Sequence, residues 1–600
     1  MCGITGLYNY SGQQVDSKSI IKKIMNIQHN RGPDDNGMWQ SKCKKIFFGH
    51  NRLSVIDLST NGNQPFISSD DYFVITFNGE IYNFLEIKNE LLKKNVTFKS
   101  NSDTEVIIES YKYWGLDFLK KLRGMFAFAI WDSAQKKIIL ARDPFGIKPL
   151  YYTIQKDVFY FASEIKSLLS IPNLHFHKSE AAIVSYYLWG NVQEPLTLYN
   201  EINSIKKGTC KIINNNGTEE NFEYANLKKA ILEAEPKNFI NEKNSTEYLK
   251  SIIDETVEYH QVSDIPITFL LSAGIDSSVL IASIDKKNKK NCSALTLDFD
   301  YSEKKNESRL AKKTTNMNGI NHKIENINRN ELVKLTQKFY INMDSPTNDA
   351  LNNFAVSHFA KKLNSKVIIS GIGADEFFGG YPSFNRIPKL NNLFKLIPKS
   401  KFFNNLFKNN IQKILKNLKL NTKYSGIYEY SRDVDTVFLL LRSLFMPNEI
   451  KEMLSPDVFK RGFEELDIMQ NLKDDIKDIK EKKLAIMYLE IKYYLCSKIL
   501  RDSDWASMSN SVEMRTPFVD WFFFKKLLPL LKSNIKIDKK SLLKCYNQKL
   551  PRELVTRKKT GFVIPHTQYL KELSSKQPTY SHPIKDWSIF SYQKYLNNEK

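Results

Sequence analysis

The sequence predicts an α/β protein of more than one domain, and three observations carry this prediction. The chain has 600 residues, well beyond the roughly 250–300 at which single hydrophobic cores stop growing. In its first third, short runs typical of strands alternate with helical patterns. Further on, two strand-like runs lead directly into turns rich in glycine and serine. Strands with helices around them indicate layered sheets.

The strand-like runs of the first third are β-branched and aromatic and are bounded by glycine and asparagine, a composition typical of strands. Helical patterns at 84–93 and 104–114 lie between these runs. Residues 205–245 are polar and rich in asparagine and lysine, which indicates a connection between domains. The predicted strands cover residues 46–50, 72–77, 126–131 and 137–140.

In the second half, the apolar run 266–271 leads into Ser272-Ala273-Gly274-Ile275-Asp276-Ser277-Ser278, and the run 366–369 leads into a second turn that carries Asp375. A strand, a turn of small residues and a helix aim backbone N–H groups and the helix dipole at an anion. Asp276 is suited to hold a Mg²⁺ ion that neutralises a phosphate. The turn lacks the Gly-Lys-Ser/Thr of a Walker A loop. Two such turns together predict a site for a nucleotide and a metal.

Composition excludes several classes of protein. No stretch approaches the ~18 apolar residues of a membrane helix, and no basic segment followed by an apolar run marks a secretory signal. The six cysteines include no Cys-x-x-Cys pair, which argues against a disulfide framework or a zinc site and favours a reducing cytoplasm. The net charge of +22 comes from lysines spread along the chain. No groove-reading motif accompanies it, so nucleic acid is not the expected partner.

Cys2 follows the initiator methionine, so that removal of Met1 would make it the first residue. An N-terminal cysteine carries a nucleophilic thiol and a free α-amine that can accept its proton near neutral pH. Taken alone, Cys2 is better interpreted as a small residue that happens to follow the initiator than as a nucleophile.

Many separate motifs, spread over nearly the whole length of the chain, match those of a known protein family. The chain resembles the glutamine-dependent asparagine synthetases that carry an N-terminal glutamine amidotransferase domain. In the first half the matching motifs are Met1-Cys2-Gly3-Ile4, Asn30-Arg31-Gly32-Pro33-Asp34, Phe77-Asn78-Gly79-Glu80, Ser102-Asp103-Thr104-Glu105 and Arg142-Asp143-Pro144-Phe145-Gly146. In the second half they are the turns after Ser272 and Ser370, then Leu500-Arg501-Asp502, Val512-Glu513-Met514-Arg515 and Arg557-Lys558-Lys559-Thr560-Gly561-Phe562.

The resemblance implies a specific architecture. Residues 1–205 would form an αββα sandwich of the N-terminal-nucleophile (Ntn) hydrolase type, which is the glutaminase domain. Residues 206–245 would be a linker, and 246–570 a parallel-sheet α/β domain of the adenine-nucleotide α-hydrolase (pyrophosphate-loop) type with helical additions. Residues 571–600 would be a C-terminal tail, which we expect to be irregular.

For the glutaminase, the resemblance implies that Cys2 attacks the side-chain amide of glutamine and frees ammonia. Asn78 and the Gly79 N–H would stabilise the oxyanion. Arg52 and Asp103 would bind the carboxylate and ammonium of glutamine, with Glu80 beside them. Without the resemblance, Asn78-Gly79 would read as a hairpin turn.

For the second half, the resemblance implies an acyl-adenylate made from a carboxylate and ATP, with Mg²⁺ held by Asp276 and Asp375. Lys559 would balance charge as pyrophosphate leaves. Ammonia would pass internally and attack the adenylate, giving an amide, AMP and pyrophosphate. The residues implied for ATP binding are Leu270, Ser272, Gly274, Asp276, Ser277, Ser278, Leu297, Ser370 and Gly371.

Two departures from the family pattern bear on the acceptor. Ala273 replaces a usual glycine, which is tolerable where φ is negative. Ile372 replaces a glutamate that the family is thought to use as a base toward ammonia, and isoleucine cannot accept a proton. Either Glu376 or another carboxylate takes over, or the acceptor is not aspartate. Aspartate is favoured; a uronic acid of surface-polysaccharide synthesis is the alternative.

Two other classes of function stay open. The chain could be a glutaminase with a degenerate second half, although Asp276, Asp375 and Lys559 are intact. It could also bind nucleic acid, which only the charge suggests. The expected partners are the small molecules glutamine, ATP and the acceptor carboxylate, with no nucleic acid and no membrane. A homodimer is one possibility for the oligomeric state.

Overall fold

We describe a computed structural model of the chain, which covers residues 2–13, 15–299, 306–395, 422–556 and 583–598. Lys559, which the sequence analysis assigns to the departing pyrophosphate, lies outside the described residues.

The strands fall into three sheets. In chain order they are β1 Cys2–Asn9, β2 Asp35–Gln40, β3 Ile46–Arg52, β4 Phe66–Ile67, β5 Phe73–Ile81, β6 Gly124–Asp132, β7 Lys137–Arg142, β8 Tyr151–Gln155, β9 Val158–Ala162, β10 Asn203–Ser204, β11 Thr209–Ile213, β12 Glu219–Glu223, β13 Ile267–Leu270, β14 Cys292–Phe299, β15 Asn321–Ile327, β16 Val367–Ile369 and β17 Glu513–Arg515.

Helices flank the sheets in both halves. Those of the first half and the connection are Ser17–Ile27, Phe84–Leu92, Asp103–Trp114, Ile165–Leu169, Glu180–Trp189, Leu227–Glu233 and Glu242–His260. Those of the second half are Ile275–Ser283, Asn306–Asn318, Arg329–Asn342, Leu351–Lys362, Ala374–Phe377, Ser383–Lys395, Ile427–Tyr430, Val434–Arg442, Pro447–Met453, Pro456–Leu466, Ile468–Ile476, Lys482–Leu489, the π-helical Glu490–Leu500, Arg501–Met508, Trp521–Leu531, Lys539–Cys545, Glu553–Thr556 and Pro583–Asn598.

The first half is a four-layer α/β/β/α sandwich, as the sequence predicts. One antiparallel sheet has the order β10-β8-β9-β1-β3-β2 and the other the order β12-β11-β7-β6-β5-β4. Strand alternation explains the layers, because successive side chains point to opposite faces. In β1, Ile4 and Tyr8 join the core between the two sheets, while Leu7 packs toward the helix Ser17–Ile27.

The segment 206–245, expected as a linker, contributes secondary structure of its own. β11 pairs with β7 and β12 pairs with β11, so both strands extend the second sheet of the sandwich. Two helices, Leu227–Glu233 and Glu242–His260, then lead into the second half. The polar composition of this stretch reflects exposed strand and helix faces as well as turns.

The second half is built on a fully parallel sheet with the order β15-β14-β13-β16-β17. The strands β13 and β16, both predicted from the sequence, are neighbours near its centre. Their carboxyl ends therefore meet at one edge of the sheet, where open α/β sheets place ligands. This parallel arrangement confirms the predicted fold class.

The expectation of an irregular C-terminal tail is wrong for residues 583–598, which form a helix. Trp587 is 1% exposed, and its Nε1 donates to the Asn348 carbonyl oxygen over 3.1 Å. Tyr592 and Tyr595 are buried in the same core cluster as Trp587. The mixed polar composition of this segment does not predict a helix. The helix is stabilised by the tertiary packing of its aromatic side chains rather than by helix propensity.

Candidate active sites

Cys2 stands at the first described position of β1, at one end of the sandwich, and is 6% exposed. It lies opposite Arg52 of β3 in the antiparallel register. Its backbone N–H reaches across to the other sheet and donates to the Asn78 Oδ1 over 3.0 Å. The two sheets thus bring Cys2 and Asn78 together from positions 76 residues apart.

Asn78 has the form of an oxyanion donor. Its Nδ2 is buried and has no hydrogen-bond partner within the part of the chain that the structure describes. A buried donor left without a partner costs free energy, so it marks a place where a ligand acceptor would fit. The next residue, Gly79, has φ +157, and a Cβ there would lie 2.1 Å from the Met125 carbonyl oxygen. Asn78 and Gly79 thus lie within β5 rather than in a hairpin turn, and only glycine fits at position 79.

The environment of the Cys2 thiol disfavours its ionisation. Burial raises its pKa, although the Leu53 backbone and the Arg52 charge act in the opposite direction. Because the thiolate is the reactive form, a base close to Cys2 is required at neutral pH. The α-amine exposed by loss of Met1 would be such a base.

The two charged residues predicted for the ends of glutamine flank this region. Arg52 donates through Nη1 to the Ser59 carbonyl oxygen over 3.0 Å and to the Asn63 Oδ1 over 2.7 Å. Asp103 is 5% exposed and begins the helix Asp103–Trp114; its Oδ2 accepts from the Ile81 N–H over 3.0 Å. Burial raises the pKa of Asp103 to about 6.

Glu80, the remaining residue predicted for glutamine binding, is directed toward the other half of the molecule. Its Oε1 lies 3.6 Å from the Arg515 Nη2 at the end of β17. Burial raises the pKa of Glu80 well above its usual range, and the nearby charge of Glu513 raises it further. Glu80 therefore belongs to a contact between the two halves as well as to the glutaminase strand.

The two predicted phosphate turns meet in a cavity of about 330 Å³ at the carboxyl edge of the parallel sheet. A Cβ on Gly371 would lie 3.0 Å from the Asp276 Cβ, so the two turns are in close contact. Seven of the nine residues predicted for ATP line this cavity: Leu270, Ser272, Gly274, Asp276, Ser277, Ser370 and Gly371. Ser278 and Leu297 lie outside its lining, both buried.

Hydroxyl groups organise the first turn. The Gly274 N–H donates to the Ser272 Oγ over 3.2 Å, and the Ser277 Oγ donates to the Ser272 carbonyl oxygen over 2.9 Å. The Ser278 Oγ is buried without a hydrogen-bond partner among the described residues. The helix Ile275–Ser283 begins at this turn, so its N-terminal N–H groups and its dipole face the cavity.

Asp276 and Asp375 come together around a cation that the sequence analysis did not single out. The Lys539 Nζ donates to the Asp276 Oδ1 and lies 3.0 Å from the Asp375 Oδ1. Burial lowers the pKa of Lys539, but the two carboxylate charges outweigh burial and raise it. No motif marks Lys539, which follows Asp538 at a helix N-terminus, so only the fold reveals its place.

The same carboxylate pair suits a magnesium ion in its donor chemistry, since Mg²⁺ prefers oxygen ligands and usually takes one or two carboxylates together with substrate phosphates and water. The partly buried Lys539 ammonium between the two side chains shows that they accommodate positive charge. Over the described ranges there is no cluster of three or more metal-ligating side chains. A Mg²⁺ ion at this place would therefore complete its coordination with phosphate and water.

Ile372 and Glu376 both line the cavity. Ile372 also packs against the apolar core. The Glu376 Oε1 accepts from the Tyr381 hydroxyl over 2.9 Å. Burial, followed by the charge of Asp375, raises the pKa of Glu376 to about 7. A carboxyl group is thus present in the wall, four positions after the residue where the family pattern has one.

Comparison with known proteins assigns each half of the chain to a family. A family model described as glutamine amidotransferase domain matches residues 1–225, and one described as asparagine synthase matches residues 248–579. Asparagine synthetase [glutamine-hydrolyzing] 1 of Bacillus subtilis is 32% identical over 95% of this chain and 88% of that protein. The chain belongs to the glutamine-hydrolysing asparagine synthetase family. It is a carbon–nitrogen ligase.

Two further relatives also match this chain over most of its length. Asparagine synthetase [glutamine-hydrolyzing] 3 of Bacillus subtilis is 26% identical over 98% of this chain and 92% of that protein. Amidase chyE of Penicillium rubens is 27% identical over 91% of this chain and 85% of that protein. Full-length relatives of this synthetase therefore carry more than one name.

The structure also identifies residues whose importance the motifs alone did not reveal. Arg31 and Arg515 lie in matched motifs, but only the fold shows that each contacts a carboxylate of the opposite half, Asp504 and Glu80 respectively. Asp349, Asn352 and Asn353 line the cavity from the segment that begins the helix Leu351–Lys362. Among the described helices, none is long and apolar enough to cross a membrane.

Proposed function

We propose that this synthetase transfers the amide nitrogen of glutamine to a carboxylate that it first activates with ATP, and that the carboxylate is aspartate. The observation that carries the proposal is the buried Asn78 Nδ2 beside Cys2, which has no hydrogen-bond partner among the described residues. A chain that keeps an oxyanion donor of this kind is equipped to release ammonia from an amide. The cavity between the two phosphate turns supplies the second site in the same chain.

At the first site, the Cys2 Sγ attacks the side-chain carbonyl carbon of glutamine, and its proton passes to the α-amine exposed by removal of Met1. The oxygen of the tetrahedral intermediate takes hydrogen bonds from the Asn78 Nδ2 and the Gly79 N–H. As the intermediate collapses, the amine returns the proton and ammonia leaves. Water then hydrolyses the thioester to glutamate. Arg52 and Asp103 hold the carboxylate and ammonium of the substrate.

At the second site, a carboxylate oxygen of the acceptor attacks the α-phosphorus of ATP and pyrophosphate leaves. Ser272, Ser277 and Ser278 donate hydroxyl hydrogen bonds to the phosphates, together with N–H groups at the start of the helix Ile275–Ser283. A bound Mg²⁺ ion would neutralise phosphate charge, held by Asp276 and Asp375. Lys539 must then leave the position between these carboxylates. We assign Lys559 to the departing pyrophosphate by family analogy.

Ammonia from the first site then attacks the acyl carbon of the adenylate. One proton is lost, AMP departs, and the amide is formed. Because Ile372 cannot accept that proton, another group in the cavity wall must do so. We propose the cytoplasm as the location, since all six cysteines are free of disulfides and such thiols suit a reducing compartment.

A second candidate acceptor is a uronic acid, and the position of Ile372 favours it. An isoleucine in the cavity lining replaces the charge that the family pattern has there. The same adenylation and amidation would then act on the carboxyl group of a sugar. Glutamine hydrolysis alone would be the remaining function if the second half bound no ATP.

The test is AMP formation by purified protein that has lost Met1, with ATP, Mg²⁺ and glutamine, with and without aspartate. AMP that depends strictly on aspartate, with asparagine formed in equal amount, would support the proposal. AMP that depends on a uronic acid and not on aspartate would select the second candidate. Glutamate release without AMP, whatever the acceptor, would leave a glutaminase and contradict the synthetase proposal.

A further inference from the structure

Arg31 connects the nucleophile to the other half of the molecule. It lies in the short 3₁₀ turn His29–Arg31 of the glutaminase half and is completely buried. Its Nε donates to the Cys2 carbonyl oxygen over 3.2 Å, so it holds the backbone of the residue that would carry out the attack. Its Nη2 donates to the Asp504 Oδ2 over 2.8 Å.

Asp504 belongs to the helix Arg501–Met508 of the second half, 473 residues further along the chain. Its other oxygen, Oδ1, accepts from the Lys148 Nζ over 3.1 Å. Lys148, like Arg31, comes from the glutaminase half, and the side chains of Lys148 and Asp504 are each 1% exposed. A single carboxylate of the second half therefore receives two cations of the first half inside the interface.

Charges buried in this way are stable only when they are paired, because taking a charge out of water is costly. Burial alone would raise the pKa of Asp504, but Arg31 and Lys148 outweigh burial and hold its pKa below the usual range. Among the described residues, Glu164 is a second carboxylate near Arg31, 3.8 Å from Nη1. Asp504 makes the closer contact, and it is the one that the second half provides.

The geometry of Arg31 explains why its partner matters for Cys2. The guanidinium is planar and rigid, so the direction of Nε follows from where the Nη atoms are held. With Nη2 fixed on Asp504, Nε points at the Cys2 carbonyl oxygen. Without that anchor, Arg31 can turn, and Cys2 loses the hydrogen bond that holds its carbonyl oxygen.

We propose that Asp504 is a positioning residue for glutamine hydrolysis: from the second half of the chain it fixes Arg31, and through Arg31 the backbone of Cys2. The inference rests on the proposed function of Cys2 as the glutaminase nucleophile. It makes the glutaminase depend on the docking of the other half, because the carboxylate that accepts the hydrogen bond from the Arg31 Nη2 comes from that half.

The first test compares Asp504→Asn with Asp520→Asn in the full chain. Asp520 is the matched control: its Oδ2 accepts from the Arg123 Nε over 2.9 Å, also a buried ion pair between the halves, but one that does not contact Cys2. We expect kcat for glutamine hydrolysis, without ATP or acceptor, to fall by about tenfold or more in Asp504→Asn, since small displacements of reacting groups have effects of this size. The KM for glutamine should stay within about twofold, because neither group touches substrate.

A second measurement separates positioning from a simple loss of folded protein. The rate constant for labelling of Cys2 by 6-diazo-5-oxo-norleucine, a diazoketone analogue of glutamine, does not depend on the fraction of active enzyme. We expect it to fall with kcat in Asp504→Asn and to remain unchanged in Asp520→Asn. ATP binding in the second half should be the same in both variants and the wild type.

A third pair of variants covers the case in which Asp504→Asn does not fold. The double variant Asp504→Asn with Lys148→Met removes one charge of each sign, so the buried cluster keeps its net charge. Lys148→Met alone keeps the Arg31–Asp504 contact and should hydrolyse glutamine at close to the wild-type rate. The double variant should show the same fall in kcat and labelling rate as Asp504→Asn.

The inference is overturned if Asp504→Asn, or the double variant, keeps the wild-type labelling rate and kcat. It is also overturned if Asp520→Asn lowers both as much, because the effect would then come from docking in general. A wild-type chain that hydrolyses no glutamine would instead contradict the proposed function itself, and the inference with it.

Discussion

Asn78 uses one polar atom of its side chain to hold Cys2 and leaves the other available to a ligand. Its Oδ1 accepts from the Cys2 N–H, while its Nδ2 is buried without a hydrogen-bond partner among the described residues. We expect Asn78→Ala to lower kcat for glutamine hydrolysis by about a hundredfold to a thousandfold, the usual cost of losing one oxyanion donor. The KM for glutamine should change little, and steady-state kinetics of glutamate release measure both.

The control for this variant is Asn36→Ala, an exposed position on β2, which should leave both constants unchanged. A normal kcat in Asn78→Ala would show that the oxyanion is stabilised elsewhere.

As the proposed partner of the glutamine ammonium, Asp103 should make glutamine binding depend on pH. Burial raises its pKa to about 6, so the carboxylate is ionised above that pH and takes up a proton as pH falls through it. A neutral carboxyl cannot pair with the ammonium of glutamine, which stays charged over this range. We expect the KM for glutamine to rise by about tenfold between pH 7 and pH 5.

The matched variant is Asp103→Asn, which should have a high KM at every pH and no rise below pH 6. If the wild-type KM were constant from pH 7 to pH 5, Asp103 would not be the group that binds the ammonium.

How far single residues were predictable depended on whether a motif marked them. Cys2 and Asn78 lie in matched motifs, and the fold places the Cys2 backbone nitrogen 3.0 Å from the Asn78 Oδ1. Lys539 lies in no motif, and its contacts with Asp276 and Asp375 depend on a helix 263 residues away along the chain from Asp276. Position in sequence cannot reveal a contact that only tertiary packing creates.

At the scale of elements, the two strand-and-turn units form the second site because parallel strands end at the same edge of their sheet. Asp375 follows β16, and its carboxylate lies near Asp276 of the turn after β13 through their shared contact with Lys539. We expect Asp375→Asn to lower AMP formation by about a hundredfold or more, or about 2.7 kcal/mol of transition-state stabilisation. AMP release with saturating glutamine and acceptor measures this loss.

Glutamine hydrolysis by the same variant is the internal control, and it should remain within about twofold of the wild type, since Asp375 belongs to the other half. AMP formation at the wild-type rate would contradict the assignment of Asp375 to the metal and phosphates.

Elements were predictable where their periodicity was clear. The runs at 46–50 and 126–131 became β3 and β6, and the helical pattern at 104–114 became the helix Asp103–Trp114. The helix Pro583–Asn598 was missed because its apolar residues, aliphatic and aromatic, do not repeat along one face of the helix, and its core partners come from distant helices. The Tyr186 hydroxyl, for example, donates to the Ser588 carbonyl oxygen over 2.7 Å.

At the scale of the whole molecule, the sequence predicted two halves but not how they meet. Buried ion pairs join them: Arg31 with Asp504, and Arg123 with Asp520. Each pair links residues about 400 or more positions apart, and surface charges of the same type are common along this chain. Only the packed interface shows which of its many charges are buried and paired.

The most direct test of the whole account follows the nitrogen atom. The synthetase, free of Met1, is given glutamine labelled with ¹⁵N in its side-chain amide, ATP, Mg²⁺ and the acceptor that supports AMP release, and the product amide is analysed by mass spectrometry. We predict ¹⁵N in the product in equal amount to AMP, none with Cys2→Ala, and restored product with Cys2→Ala when ammonium is supplied. Product without ¹⁵N, or labelled product from Cys2→Ala, would contradict the claim that this chain moves nitrogen from Cys2 to an adenylate in its second half.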